Sequence, residues 1–233
     1  MSRCFGLIPA AGRGTRMGTP RPKQYDKLGA HTMLEHAVDA LLAEPRVHSV
    51  LVVIAPGDEW HRECAFGARV QVAAVGGATR ADSVHAGLQV LSESCGASDG
   101  DWVLVHDAAR PCLAADDVAR LMAVALSDPV GALLAQPLAD TLKRADGDDR
   151  VVATVPRAHA WRAATPQMFP LGVLRAALAD PDLRQTVTDE AAALEAHGKL
   201  PRLVECAPTN IKVTRPADRA LAMAILQMQG RLA

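Results

Sequence analysis

The sequence lacks an excess of charge of either sign. Its 233 residues include 25 Lys and Arg against 26 Asp and Glu, which leaves a net charge of −1. A nearly neutral chain creates no overall field that attracts nucleic acid or an anionic membrane surface. Any affinity for phosphate must therefore be local, and we expect neither nucleic acid nor membrane as a partner.

The sequence also lacks paired cysteines and long hydrophobic runs. The five cysteines are odd in number and widely spread, with no Cys-x-x-Cys motif. This pattern argues against a disulfide framework and a zinc site, and it is typical of a reducing compartment. No stretch is long enough to span a bilayer, and no apolar leader follows the start. We expect a cytoplasmic protein with a single domain over residues 1–233.

Two common phosphate-binding patterns are missing as well. The absence of Gly-Lys-Ser/Thr excludes a P-loop. Gly12 and Gly14 follow a predicted strand as in dinucleotide-binding loops, but Met17 stands where the third glycine should be, and Gly18 comes one residue late. An acidic residue should also follow about 20 residues further on, and Asp58 lies well beyond that distance. A dinucleotide site is therefore disfavoured.

What the sequence does contain is a cationic, glycine-rich loop between Leu7 and Gln24. Its glycines are Gly12, Gly14 and Gly18, and its cations are Arg13, Arg16, Arg21 and Lys23. Glycines let the backbone approach a ligand closely and leave N–H groups free to point at it. Positive charges at this density repel one another unless an anion lies among them. The loop therefore predicts a nucleoside triphosphate site, with a solvated Gly-rich turn as the alternative.

Apolar runs alternate with helical periodicity along the chain. We predict strands over 5–8, 49–55, 69–74, 102–105 and 130–135, and helices over 33–42, 80–91 and 116–126. This order is typical of an α/β fold with a Rossmann-like doubly wound, mainly parallel sheet. Ligands of such sheets bind beyond the carboxyl ends of the strands, where the loops after the first, third and fourth strands meet.

Residues 137–156 interrupt this alternation. Two short alternating runs flank a turn at Asp146, Gly147 and Asp148, which predicts a protruding β-hairpin arm. A hairpin alone is only marginally stable in water, so it must pack on something. We favour a neighbouring subunit as its partner, with its own domain as the alternative.

Three charged or titratable residues stand out further along the chain. Asp107 ends the fourth strand, where a carboxylate is well placed to hold Mg²⁺, although it could instead pair with Arg110 at the surface or cap a helix. We expect His106 to be packed or hydrogen-bonded rather than a catalytic base. If residues 210–214 form a strand, Lys212 lies on the face opposite its apolar neighbours.

Two segments are ambiguous between ligand binding and helix capping. Residues 76–83 place two glycines, Arg80 and Ser83 at a helix start, where N–H groups can bind a base, a sugar or a phosphate. Ordinary N-capping explains the same residues. Residues 188–190 could likewise cap the helix that follows them.

In their order and spacing, the motifs resemble those of a known family. They are Pro-Ala-Ala-Gly-x-Gly-x-Arg-Met from Pro9, Pro-Lys-Gln from Pro22, Ala-Asp-Ser-Val from Ala81, Val-His-Asp-Ala-Ala-Arg-Pro from Val105, Asp-Thr-x-Lys from Asp140, Thr-Pro-Gln from Thr165, Thr-Asp-Glu from Thr188 and Asn-Ile-Lys-Val-Thr from Asn210. Together they resemble the 2-C-methyl-D-erythritol 4-phosphate cytidylyltransferases of the non-mevalonate isoprenoid pathway. The resemblance implies a nucleotidyltransferase domain that transfers CMP from CTP to a sugar-alcohol phosphate with Mg²⁺. It also implies a homodimer in which the arm reaches the other active site.

The resemblance also implies a role for each matching residue. Catalytic contacts at the triphosphate fall on Arg16, Lys23 and Lys212, and Arg157 of the arm is a catalytic contact at the sugar-alcohol phosphate. Nucleotide contacts fall on Pro9, Ala10, Ala11, Gly12, Gly14, Gly77, Arg80 and Ser83. The sugar-alcohol phosphate would meet Asp107, Arg110, Thr141, Arg157, Thr165 and Thr188, and Asp107 would hold the metal. Thr209 and Ala78 replace acidic residues of some relatives, which leaves a second carboxylate open. Arg13 and Arg21 are expected to supply background field or to face solvent.

Two other functions stay open at this point. One is a cytidylyltransferase acting on ribitol 5-phosphate, since the two acceptors differ mainly in carbon skeleton and hydroxyls. The other is a non-catalytic nucleotide-binding protein, although such a protein needs no cations aimed at a reacting phosphorus. Because the acceptor is already a phosphate, we expect catalysis by positioning and electrostatics with little help from a general base.

Overall fold

The computed structural model describes residues 2–12 and 21–232. Its strands are β1 (Cys4–Pro9), β2 (Lys27–Leu28), β3 (His31–Thr32), β4 (Val47–Val53), β5 (Val70–Ala73), β6 (Trp102–Val105), β7 (Ala132–Pro137), β8 (Leu142–Ala145), β9 (Val151–Val155), β10 (Trp161–Pro170) and β11 (Arg202–Glu205). Its α-helices are α1 (Met33–Leu42), α2 (Arg80–Glu93), α3 (Ala115–Ala125), α4 (Leu171–Ala177), α5 (Pro181–Thr186), α6 (Glu190–Glu195) and α7 (Pro216–Met228).

Seven of these strands form the central sheet, in the order β11–β7–β10–β6–β1–β4–β5. β10 runs antiparallel to both of its neighbours, and the remaining pairs are parallel. The mainly parallel sheet with helices on both faces confirms the predicted fold class. Within the described residues, no helix combines the length and the apolarity needed to cross a bilayer.

The two faces of the sheet are buried under different helices. Along β1, Ile8 packs with residues of α1 and α3, whereas Leu7 packs with residues of α2, α4 and α6. Successive side chains of a strand point to opposite faces, so a strand buried on both sides is apolar throughout. A third cluster joins α7 to Leu28 and Val213, and thereby holds the irregular segment before α7 against the body of the fold.

The sequence prediction lacks β2, β3, β10, β11, α4, α5 and α7. β10 is the most consequential of these, because it inserts antiparallel between β6 and β7. Its middle carries small and polar residues around Pro166, and its first three residues are exposed. Such a composition is typical of a loop, and only pairing with two neighbouring strands makes the segment a strand.

The predicted hairpin is present as a separate two-stranded sheet. β8 and β9 pair antiparallel, with Leu142 opposite Val155, and are joined by a turn at residues 146–150. The strands occupy less than the predicted 137–156. Val151 and Val152 are 63% and 54% exposed, so the arm leaves apolar surface uncovered within this chain.

Candidate active site

A cavity of about 680 Å³ opens at the carboxyl edge of the sheet, beyond β1, β4 and β6. It gathers residues that are distant in sequence. The predicted site residues that line it are Pro9, Ala10, Ala11, Gly12, Lys23, Gly77, Arg80, Ser83, Asp107 and Lys212. The cavity therefore lies where ligands of doubly wound sheets bind.

Two glycines form the tightest part of the cavity wall. A Cβ atom on Gly76 would lie 2.3 Å from Cβ of Ala11 and 2.8 Å from the carbonyl oxygen of Ile54. A Cβ atom on Gly77 would lie 2.4 Å from Cβ of Asp82. Both distances are too short for a side chain, so the close approach of two backbone segments requires glycine here.

The start of α2 shows that capping accounts for part of the motif at residues 76–83. Thr79 and Asp82 form a capping box at the N-terminus of α2. The Ser83 hydroxyl accepts the N–H of Gly77 at 3.1 Å and donates to the carbonyl of Thr79 at 3.0 Å. These bonds within the protein fix the glycine loop that forms the wall of the cavity.

Asp107 is the centre of a charged cluster on the opposite wall. Its Oδ1 accepts from Nε of Arg80 at 2.9 Å, and its Oδ2 pairs with Nζ of Lys212 at 2.8 Å. Nε of Arg110 lies 3.9 Å from Oδ2. Burial alone would raise the pKa of Asp107, but the three cations outweigh it and hold that pKa well below its usual range. The carboxylate therefore stays ionised.

Sequence reasoning missed Glu190, which extends this cluster. Its carboxylate accepts from Nη1 and Nη2 of Arg80 at 2.5 Å and 3.1 Å, and its side chain is only 2% exposed. Burial raises the pKa of Glu190, and Arg80 opposes that rise. The neighbouring Asp189 caps α6, as the sequence suggests, through the N–H of Ala192. Nothing in the local sequence points Glu190 toward an arginine 110 residues away.

The segment that carries Lys212 differs from the strand considered in the sequence prediction. Residues 210–214 form no strand, since they lie in irregular backbone between β11 and α7. The alternating exposure has another cause, namely that Val213 is anchored in the α7 cluster while Lys212 stays 44% exposed. The carbonyl of Val213 also accepts from Nζ of Lys23 at 2.8 Å. This contact brings the Lys23 and Lys212 segments together.

His106 and Thr165 lie beneath the charged cluster. His106 is fully buried, as expected for a packed residue, and burial lowers its pKa to about 4. The Thr165 hydroxyl accepts the N–H of Asp107 at 3.0 Å, and Thr165 is 5% exposed. Arg110 donates from Nη1 to the carbonyl of Asn210 at 2.7 Å. The turn that presents Asp107 is thus tied to β10 and to the segment before Lys212.

Other predicted residues lie apart from this cavity. Thr141, Arg157 and Thr188 are exposed, and among the described residues they do not line it. Arg16 and Gly14 lie outside the described residues.

Arg21 does not merely face solvent or supply background field. It pairs with Glu63 at 2.7 Å, stacks on the ring of Trp60 at 4.9 Å and donates to the carbonyl of Tyr25. The expectation for this residue is wrong because Trp60 and Glu63, some 40 residues away, meet it only in the fold.

The sheet order, the glycine wall and the cations at the carboxyl edge define an α/β protein of the nucleotide-binding class. Residues 4–228 match the IspD family, 2-C-methyl-D-erythritol 4-phosphate cytidylyltransferase. The protein of that name from Laribacter hongkongensis is 52% identical over 97% of each chain. A crystal structure of 4-diphosphocytidyl-2C-methyl-D-erythritol synthase superposes with a TM-score of 0.84 at 37% identity, covering 97% of this chain and 99% of the other. The Francisella tularensis enzyme gives 0.83 at 35% identity, covering 97% and 100%. The chain therefore belongs to the 2-C-methyl-D-erythritol 4-phosphate cytidylyltransferase family.

Proposed function

We propose that this protein transfers CMP from CTP to 2-C-methyl-D-erythritol 4-phosphate, forming 4-diphosphocytidyl-2-C-methyl-D-erythritol and pyrophosphate. The observation that carries the proposal is the cavity itself. One wall is glycine backbone suited to close approach of a nucleotide, and the other presents Asp107 among Arg80, Lys212 and the nearby Arg110. Such a site holds a polyphosphate and a second phosphate close together.

The reaction needs charge compensation more than proton transfer. A phosphate oxygen of the acceptor forms a bond to the α-phosphorus of CTP, and the bond from that phosphorus to the bridging oxygen of pyrophosphate breaks. Lys23 and Lys212, at the cavity wall, would offset charge that builds on the phosphoryl oxygens and the leaving group. Arg16 is proposed to act with them. The acceptor is already ionised, so no general base is assigned.

The donor set suits a Mg²⁺ ion that is shared with the triphosphate. Among the described residues, Asp107 is the one carboxylate that lines the cavity, and no group of three or more His, Cys, Asp or Glu could hold a metal. Mg²⁺ is commonly held by one or two carboxylates together with substrate phosphates and water. We propose that Asp107 holds it, and that the ion supplies positive charge at the phosphates.

The protein is further proposed to act as a homodimer in which the arm completes the partner's site. Arg157 and Thr141 lie at the base of the arm and are exposed in this chain. The apolar surface of Val151 and Val152 is uncovered, and a lone hairpin is only marginally stable. Packing against a second copy would cover the valines and bring Arg157 to the acceptor phosphate.

Product formation tests the reaction. The protein is incubated with CTP, Mg²⁺ and either methylerythritol phosphate or ribitol 5-phosphate, while pyrophosphate release and the ³¹P spectrum are followed. A cytidine diphospho product with the first acceptor supports the proposal. If product forms only with ribitol 5-phosphate, that compound is the acceptor. If CTP binds but neither acceptor gives product, the protein is a non-catalytic nucleotide-binding protein.

Complementation tests the arm. Lys23→Ala is expected to be nearly inactive, and so is Arg157→Ala when the acceptor is assayed far below the raised KM of that variant. In a heterodimer of the two, one site would combine an intact cavity with an intact arm, so an equilibrated mixture should recover about one quarter of wild-type activity. Arg150→Ala, which changes an exposed arginine in the turn of the arm, is the control. It should have normal activity alone, and mixing it with Lys23→Ala should add no activity beyond that of its own intact sites. No recovery from the mixture would mean that Arg157 serves its own chain.

A further inference from the structure

Three buried polar side chains lie directly beneath the charged wall of the cavity. His106, Thr165 and Asn210 are 0%, 5% and 2% exposed. They come from three separate segments, namely the turn after β6, the middle of β10 and the irregular segment before Lys212. Buried polar groups are rarely left without partners, so their hydrogen bonds reveal what they hold.

His106 connects the two ends of the turn that presents the charged residues. Its Nε2 lies 3.1 Å from the carbonyl oxygen of Arg110. A carbonyl oxygen only accepts, so Nε2 carries the hydrogen of this bond. Its Nδ1 lies 3.1 Å from Oγ1 of Thr165, and the same Oγ1 accepts the N–H of Asp107 at 3.0 Å. One ring therefore holds the backbone at both Asp107 and Arg110.

Asn210 continues this connection to the third segment. Its side-chain Nδ2 donates to the backbone carbonyl of Thr165 at 2.9 Å, and its backbone carbonyl accepts from Nη1 of Arg110 at 2.7 Å. The next anchored residue is Val213, whose N–H donates to the carbonyl of Ala109 at 2.8 Å. Lys212 lies between these two anchors. Its position opposite Asp107 thus depends on the same buried network.

We propose that His106 is a positioning residue of the transfer reaction. It holds the backbone of Asp107 through the Thr165 hydroxyl, and it holds Arg110 through a hydrogen bond to the Arg110 backbone carbonyl. Both ring nitrogens are engaged inside the protein and the ring has no exposed surface, so it acts through its neighbours rather than on substrate. The inference rests on the proposed function, because Asp107 is assigned there to the metal, and the family resemblance implies that Arg110 contacts the acceptor. The glycine wall is formed by other segments, so binding of the nucleoside part of CTP should not depend on the ring.

Substitutions that dissect the ring test this proposal. His106→Leu removes both bonds and should lower kcat and raise KM for the acceptor, with a combined loss of about 10–100-fold, as for other residues that orient ligands. The Kd for cytidine, which lacks phosphates, should stay within about twofold, since the nucleoside contacts lie on the glycine wall. His106→Gln can still donate to the Arg110 carbonyl and should recover part of the loss.

His36→Leu is the matched control. His36 is also buried, at 2% exposure, and its Nε2 bonds a backbone carbonyl, that of Leu28, at 2.8 Å. Its loss should lower stability while leaving the kinetic constants unchanged. Equal kinetics in His106→Leu and His36→Leu would overturn the proposal. Equal losses in His106→Gln and His106→Leu would also overturn it, since they would indicate chemistry at the ring.

A measurement independent of activity separates this inference from the proposed function. In ¹⁵N-histidine-labelled protein, the Nε2–H of His106 should appear as a slowly exchanging proton resonance that is absent from His106→Leu. A ring protonated only at Nδ1 would contradict the geometry even in an active enzyme. If wild-type protein forms no product, the proposed function fails, while the resonance still tests the buried network.

Discussion

Glu190→Ala should be among the most destabilising substitutions at this site. The Glu190 carboxylate is 2% exposed and takes two hydrogen bonds from the Arg80 guanidinium, at 2.5 Å and 3.1 Å. Removing it leaves the guanidinium with Asp107 as its acidic partner among the described residues. A charged group that loses its partner in the interior keeps its desolvation cost without the compensating attraction.

The size of the effect follows from these contacts. Two charge-assisted hydrogen bonds contribute about 1.5–3 kcal/mol each, and breaking a buried pair from one side typically costs about 3–5 kcal/mol. The Arg80 side chain is 29% exposed and retains Asp107, so it can recover part of that loss. We therefore expect Glu190→Ala to lower the free energy of unfolding by about 3 kcal/mol. Glu190→Gln keeps the shape and one acceptor and should lose about half as much.

Urea denaturation followed by circular dichroism, at one fixed protein concentration, measures these differences. Glu59→Ala is the matched control, because Glu59 pairs with Arg62 at 3.1 Å while both side chains are about 70% exposed. Exposed pairs contribute about 0–1 kcal/mol, so this variant should resemble wild type. If the free energies of unfolding of Glu190→Ala and Glu59→Ala differ by less than about 1 kcal/mol, the assigned role of burial is refuted.

Three further predictions concern the reaction and pH. Lys23→Ala should lower kcat by about 10²–10³ with the fold intact, whereas the exposed Lys27→Ala should not, as steady-state assays and denaturation of both variants would reveal. Arg157→Ala should raise KM for the acceptor much more than KM for CTP, and an unchanged acceptor KM would remove it from the site. Burial alone would raise the pKa of Asp101, but hydrogen bonds from two backbone N–H groups and from Arg3 lower it from 3.8 to about 2. Asp101 therefore contributes about 2–3 kcal/mol of stability above pH 4, and this is lost as the pH falls from 4 to 2. Denaturation at pH 7 and pH 2 should show wild type losing this margin over Asp101→Asn, and a margin that persists at pH 2 would contradict the pKa.

Local chemistry explains which features the sequence determined by itself. α1 begins at Met33 as predicted because Thr32 and Glu35 form a capping box within four residues. The apolar character of β1 and β4 follows from burial on both faces, which any doubly wound sheet imposes. Glycine is needed at positions 76 and 77 because a side chain there would collide with Ala11, Ile54 or Asp82, and the sequence shows both glycines directly. Family motifs spread over the chain were sufficient to predict the reaction class and ten of the residues that line the cavity.

Only the tertiary structure decided how those residues are paired. β10 is a strand because β6 and β7 lie on either side of it, and its loop-like sequence gives no sign of that. Glu190 and Arg80 are 110 residues apart, and Asn210 and Thr165 are 45 apart. Such contacts depend on which strands are neighbours, whereas helix caps and strand periodicity depend on residues a few positions away. The sequence therefore determined the charges and glycines of the site. The fold alone determined that the carboxylate of Asp107 lies among the three cations Arg80, Arg110 and Lys212.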